Sequence, residues 1–274
     1  MLGLGELKRG FSINTILPKM AFERYRLQFI LNIRHGYKFF ITLALILDIY
    51  YLPAQDQAVN KYGLTVLLDK DEFAKTVQAD SNKQMVELKR FIPGLQYDLR
   101  YASANNFMKR RMYPSNTHNT FLRLPAARAL KQAQDELRNQ GFGLKIWDAY
   151  RPYSVTESFW ELVGDERYVA DPKKGSGHNR GTAVDLTLIE VSSGKELNMG
   201  TGFDNFTDSA HQDFASLPLQ VSANRLLLKS TMEKYGFLPF ATEWWHFSWP
   251  NPTSFEVLDL PFKFLLKESS HVNH

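Results

Sequence analysis

Two short stretches of this chain carry the residue types of a hydrolytic metal centre. Ser176-Gly-His-Asn-Arg-Gly-Thr-Ala-Val-Asp185 places a histidine and an aspartate seven residues apart, and Glu243-Trp-Trp-His246 places a glutamate three residues before a second histidine. His178, Asp185 and His246 would supply three ligands to a zinc ion and leave a fourth position for water. Glu243 would remain free to move protons. The chain has no cysteine, so zinc must be held by nitrogen and oxygen. Taken singly, His178 reads as a loop histidine and Asp185 as a structural acid; the combination makes the centre.

Glu243 and His246 would point to opposite faces of an ideal strand. Glu243 is therefore expected at the strand entrance, out of register, with both side chains reaching one cavity. Trp244, Trp245, Phe247 and Trp249 form an apolar wall that would desolvate Glu243 and raise its pKa toward a general-base value. Arg151 ends a predicted strand before Pro152, where a loop can aim a guanidinium at an oxyanion. A Ser176–His178–Asp185 triad would leave Glu243 and His246 unexplained. His35, His118, His211, His271 and His274 show no ligand spacing.

These residues need elements to hold them. The spacing predicts a strand over 96–101 and a long Asn/Ser/Thr-rich loop over 103–120. It predicts a helix over 125–140, with Ala126, Leu130, Ala133 and Leu137 on one face, Pro125 in its first turn and Gly141 past its end. A strand over 143–148 and a helix over 154–163 follow. Glycines 175, 177 and 181 let the His178 loop fold back tightly. Ala183–Ile189 is predicted as a strand with Val184, Leu186 and Leu188 on one face and Asp185 and Thr187 on the other. A helix over 222–235, closed by Gly236, precedes strands over 237–240 and 243–249. The irregular alternation of helices and strands indicates an α+β fold with a mostly antiparallel sheet flanked by helices. The expected organisation is an N-terminal extension over 1–54, one catalytic unit over 60–266 and a frayed polar tail over 267–274.

The net charge is +4, but it does not point to nucleic acid. Of 33 Lys/Arg and 29 Asp/Glu, residues 1–50 hold seven and three, so the remainder carries 26 of each and no basic excess. Arg24, Arg26, Arg34 and Lys38 precede the apolar run Phe39–Leu47, the layout of a secretory signal peptide. The run is too short for a membrane span of ~20 residues. The mature protein is thus expected in the periplasm, a cytoplasmic location being the alternative, with Met20 an alternative start and Ala54 or Ala58 candidate cleavage positions.

The two site motifs, Ser176-x-His178-x-x-Gly181-x-Ala183-x-Asp185 and Glu243-x-Trp245-His246, resemble the signatures of the zinc D-alanyl-D-alanine peptidases, which share a fold with the Hedgehog signalling domain. Asp98-Leu-Arg-Tyr-Ala102, Asn105-Asn-Phe107, Trp147-Asp-Ala-Tyr-Arg-Pro152, Met199-Gly-Thr-Gly-Phe-Asp204 and the doubled Trp of Glu243-Trp-Trp-His246 look like the dipeptidase branch, which includes the vancomycin-resistance dipeptidases. The resemblance spans roughly 85–262. It implies one Zn2+ per chain held by His178, Asp185 and His246, with Glu243 as base and acid and Arg151 stabilising the transition state. Ser176 and Asp204 would contact a small D-amino-acid dipeptide, Asp204 pairing with its free ammonium. Lys109 departs from the pattern, since relatives often carry Gly there. The alternatives are a D,D-carboxypeptidase or endopeptidase of the same fold acting on longer stem peptides, and a non-catalytic zinc or wall-binding module. The retained Glu243 and Arg151 speak against the last.

Overall fold

A computed structural model describes residues 59–250 and 255–270. The basic and apolar N-terminal stretch read as a signal peptide lies outside the described residues. In chain order the elements are β1 (Val66–Leu67), α1 (Lys70–Ala79), β2 (Met85–Glu87), α2 (Leu88–Phe91), β3 (Gln96–Tyr97), β4 (Phe121–Arg123), α3 (Leu124–Asn139), β5 (Phe142–Asp148), α4 (Tyr153–Val163), α5 (Gly177–Arg180), β6 (Ala183–Glu190), α6 (Leu219–Lys234), β7 (Leu238–Phe240), β8 (Glu243–Ser248), β9 (Val257–Leu258) and α7 (Phe262–Ser269).

The central sheet runs β3-β5-β6-β8-β7. The β5–β6, β6–β8 and β7–β8 ladders are antiparallel and β3–β5 is parallel, so the sheet is mixed, with the antiparallel pairings in the majority. Alternation along β6 sends Val184, Leu186 and Leu188 into the larger core with α3 and α6. Helix α3 presents Ala126, Leu130, Ala133 and Leu137 to that core, as their spacing predicts, and Gly141 ends the segment at φ +84°. Gln134 Oε1 accepts the Leu144 N–H at 2.8 Å, which fixes the helix against β5.

A second core gathers Phe73, Tyr101, Phe121, Tyr150, Phe159 and Leu265 on the other side. Asp185 and Thr187 face away from the larger core, and the chemistry sits where the two cores meet.

Three segments differ from expectation. The 96–101 strand stops at Tyr97 and becomes a 3-10 turn over Arg100–Ala102, because Tyr101 turns inward to bury its ring. The residues around His178, expected as a tightly folded loop, form a capped turn of helix. The C-terminal segment stays helical through Ser269, whose Oγ accepts the Glu87 N–H at 2.8 Å, so the frayed tail expected from residue 267 does not begin there.

Gly181 closes α5 at φ +69°, and a Cβ at this position would lie 2.6 Å from the Met85 thioether. Backbone conformation and space both demand glycine. Gly181→Ala is expected to lower stability by about 1–3 kcal/mol. Urea denaturation checks this, as a lowered midpoint at unchanged slope; an unchanged midpoint would contradict the packing described.

Candidate metal and substrate site

The β6–β8 ladder sets Asp185 directly opposite His246, one residue of each strand on the same face. His178 reaches the same point from α5. Ser176 caps that turn: its Oγ accepts the Asn179 N–H at 3.2 Å, and Asn179 Oδ1 accepts the Ser176 N–H at 2.9 Å. Asn179 is itself buried, donating from Nδ2 to the Arg151 carbonyl and to Thr156 Oγ1. A small buried network thus fixes where His178 sits.

The three donors converge. His178 Nε2 lies 3.2 Å from His246 Nδ1 and 3.3 Å from Asp185 Oδ2, and His246 Nδ1 lies 2.9 Å from Asp185 Oδ1. Donors held at about 2.0–2.1 Å by a tetrahedral zinc would themselves be roughly 3.3 Å apart. The outer nitrogens are also occupied. His178 Nδ1 donates to the Ala149 carbonyl at 2.7 Å, which leaves the Nε2 lone pair facing inward. His246 Nε2 lies 3.1 Å from Ser248 Oγ, which can accept its proton and leave Nδ1 as a lone pair.

Charge points the same way. Burial lowers the pKa of His246, yet Asp185 and Glu243 outweigh it and raise the value. Burial raises that of Asp185, yet His178 and His246 hold it below the ordinary carboxylate range. The cluster attracts a cation, and its residues fit zinc. Among the described residues these three form the group suited to a metal ion.

Glu243 begins β8, opposite Phe240. The β7–β8 register breaks between Pro239 and Phe240, so that Pro239 instead faces Phe247. The expected placement at the strand entrance therefore holds, and the broken ladder explains how Glu243 and His246 share a cavity. Glu243 Oε2 comes within 3.9 Å of His246 Nδ1. Burial raises the Glu243 carboxyl to about 7, with His246 opposing and Asp185 and Asp204 adding to the rise. Of the aromatic residues expected to wall it, Trp245 lines the cavity, while Trp244 turns away to donate to Thr201 Oγ1 at 2.7 Å.

Arg151 is nearly buried, its guanidinium packed over Tyr101 and Phe159 at 5.2 and 4.9 Å. Nε and Nη2 both donate to Asp148 Oδ2, at 3.0 and 2.8 Å, while Nη2 is 3.8 Å from Asp185. Asp148 is the residue that sequence reasoning missed. It is fully buried, accepts from Tyr113 Oη at 2.6 Å and from the Ala149 N–H, and lies 3.8 Å from His178 Nδ1. Its signal was the three-residue spacing to Arg151 at the end of one strand.

Asp204 stands across the cavity in a left-handed conformation at φ +57°. Tyr101 Oη donates to Oδ1 at 3.0 Å and the Phe107 N–H donates to Oδ2 at 3.3 Å. Burial, reinforced by Asp185, lifts its carboxyl to about 7 against those two donors. Lys109 also has a left-handed backbone, at φ +53°, a conformation that glycine adopts at no steric cost.

All seven expected site residues, Ser176, His178, Asp185, Asp204, Glu243, His246 and Arg151, line one cavity of about 180 Å³. It is smaller than the roughly 300–1,000 Å³ of pockets for drug-sized ligands. A larger cleft of about 560 Å³, lined by His118 and Lys263 among others, contains none of these groups.

A D-Ala-D-Ala dipeptidase family model matches residues 81–264, and the chain belongs to that family. It is 36% identical over 191 residues to the D-alanyl-D-alanine dipeptidase of Escherichia coli (strain K12), covering 69% of this chain and 97% of that one. Identity to the D-alanyl-D-alanine dipeptidase of Streptomyces coelicolor is 32% over 178 residues, covering 57% of this chain and 87% of the relative. Among solved structures, VanYB in complex with D-Alanine-D-Alanine aligns at 14% identity with a TM-score of 0.33, over 50% of this chain and 76% of that one.

Asp148→Ala would leave the Arg151 charge buried without its partner, a loss expected to cost about 3–5 kcal/mol. Chemical denaturation of the variant checks this, and a loss below 1 kcal/mol would show that the pair is not the anchor described.

Proposed function

We propose that this protein is a zinc-dependent dipeptidase that hydrolyses D-Ala-D-Ala to free D-alanine, in the metabolism of peptidoglycan precursors or fragments. One observation carries the reading: a metal-binding triad, a desolvated glutamate, a buried guanidinium and a separate carboxylate meet in a cavity of about 180 Å³. Membership of the dipeptidase family supports it.

His178, Asp185 and His246 would hold one zinc ion. When bound, zinc supplies Lewis acidity, lowering the pKa of a coordinated water from about 15.7 toward ~7 and polarising a carbonyl oxygen. Glu243, lifted to about 7, is matched to taking a proton from the attacking water near neutral pH and giving it to the leaving amine. Arg151 has Nη1 left without a hydrogen bond among the described residues, while its other nitrogens are held by Asp148. That leaves a preorganised donor for the developing oxyanion.

Asp204 would pair with the free ammonium of the substrate, a charge that a longer peptide lacks at that position. Ser176, at the head of α5 and lining the cavity, is the further substrate contact. No helix among the described residues is long and apolar enough to cross a membrane. The basic and apolar N-terminal stretch supports export through a signal peptide to the periplasm.

Glu243→Gln is expected to retain zinc while losing about 10²–10⁴-fold in kcat. His178→Ala and His246→Ala should lose metal and turnover together. Metal analysis beside D-alanine release tests both, and near-normal turnover by Glu243→Gln would remove its assigned role.

Asp204 and Glu243 act as anions, and both have raised pKa values. Activity should therefore be present above pH 7 and fall as the pH drops through about 7. Asp204→Asn should raise KM for the dipeptide far more than it lowers kcat. Activity unchanged down to pH ~5, still above the ordinary carboxylate values of about 3.9–4.3, would contradict the raised pKa of both groups.

A further inference from the structure

Arg225 lies on α6, is buried, and does not line the catalytic cavity. Burial lowers its pKa to about 10, and no carboxylate among the described residues opposes the shift. A buried cation without an acidic partner is tolerated only where its donors are used. Here each of its three nitrogens donates to a main-chain carbonyl of one segment. Nε donates to Met199 O at 2.7 Å, Nη2 to Ser209 O at 2.8 Å and Nη1 to His211 O at 3.1 Å.

These carbonyls stand on both sides of Asp204 in the chain: Met199 precedes it, and Ser209 and His211 follow it. The guanidinium therefore joins the two ends of the loop that presents Asp204, as a clip across its neck. Two neighbours act on the same segment. Asn224 Nδ2 donates to Asn198 O at 2.8 Å. Trp244, which lies 5.6 Å from the Arg225 guanidinium, donates from Nε1 to Thr201 Oγ1. Asp204 itself holds a left-handed backbone at φ +57°, a conformation that a non-glycine residue keeps where its surroundings fix it. Tyr101 Oη and the Phe107 N–H orient its carboxylate, and the neck of the loop sets where that carboxylate is carried.

We propose that Arg225 is a positioning residue for substrate binding: by tying carbonyls on both sides of Asp204, it holds that carboxylate where the ammonium of a dipeptide on the metal triad can reach it. The role rests on the dipeptidase reading, in which Asp204 pairs with the ammonium. That pairing exists in the ground state and the transition state alike, so displacing Asp204 raises KM and leaves kcat nearly unchanged. Lysine cannot take the place of Arg225, because a single ammonium does not span three carbonyls as the planar fork does.

The test measures KM and kcat for D-Ala-D-Ala with the zinc-loaded full chain in four forms: wild type, Arg225→Lys, Asp204→Asn and the double variant. Arg225→Lys should raise KM about tenfold while kcat stays within about twofold and bound zinc is unchanged. In the Asp204→Asn background the same substitution should leave KM unchanged, because no ammonium pairing remains to be displaced. KM does not depend on the amount of folded enzyme, so partial loss of protein does not affect the reading. Should the lysine variant fail to fold, Arg225→Gln takes its place with the same expected split. An unchanged KM in Arg225→Lys, a fall in kcat without a rise in KM, or an equal rise in KM in both backgrounds would overturn the role. With D-Ala-D-Ala cleaved by the wild type and KM raised by Asp204→Asn, those outcomes leave the dipeptidase reading standing. Failure of the wild type to cleave D-Ala-D-Ala would overturn that reading and the role with it.

Discussion

Everything at this site depends on two imidazole lone pairs and one carboxylate being forced toward a single point inside the protein. Three such donors about 3 Å apart repel one another unless something positive lies between them. The chain supplies the force from three directions. The β6–β8 register sets Asp185 against His246, the capped turn of α5 brings in His178, and the Ala149 carbonyl and Ser248 hydroxyl engage the outer nitrogens. This is the work of outer hydrogen bonds around a metal: they choose the tautomer and hold the ring plane before the ion arrives.

The same crowding organises the acids around it. Asp148, Asp185, Asp204 and Glu243 are four carboxylates near one centre, and their surroundings divide them. Asp185 is held as an anion by its two histidines, and Asp148 is tied to Arg151, Tyr113 and a backbone N–H. Burial lifts Glu243 and Asp204 to about 7, and it raises Asp148 as well, against the opposing pull of Arg151 and His178. Carboxylates whose environments separate their pKa values can take separate roles, and here Asp185 stands apart from the other three. Arg151 links Asp148 and Asp204, bonded to the first and packed over the Tyr101 ring whose hydroxyl holds the second.

Much of this was legible in the sequence, for identifiable reasons. Helix α3 and strands β5 and β6 announce themselves because each buries one face against the larger core, and burial of one face writes a period into the chain. The candidate cluster of His178, Asp185 and His246 was legible because the two short motifs that carry them combine the residue types of a metal centre. Long-range geometry was not legible. Locally only the three-residue spacing to Arg151 hints at Asp148, and its other partner, Tyr113, comes from a loop 35 residues away. The 96–101 segment alternates like a strand, but Tyr101 is drawn off the sheet by the aromatic core and by Asp204. The helical C-terminus was hidden because its polar Ser269 is buried by a backbone partner 182 residues distant. Lys109, where the resemblance leads to the expectation of glycine, has a left-handed backbone at φ +53°, a conformation that glycine adopts at no steric cost.

The central claim is that this buried triad serves hydrolysis of a free dipeptide rather than of a longer chain. The most direct measurement is release of D-alanine by the zinc-loaded full chain from D-Ala-D-Ala, beside a stem pentapeptide ending in D-Ala-D-Ala, whose penultimate residue carries no free ammonium. The account predicts cleavage of the dipeptide and none of the pentapeptide. Comparable cleavage of the pentapeptide would contradict it, because Asp204 would then have no ammonium to select.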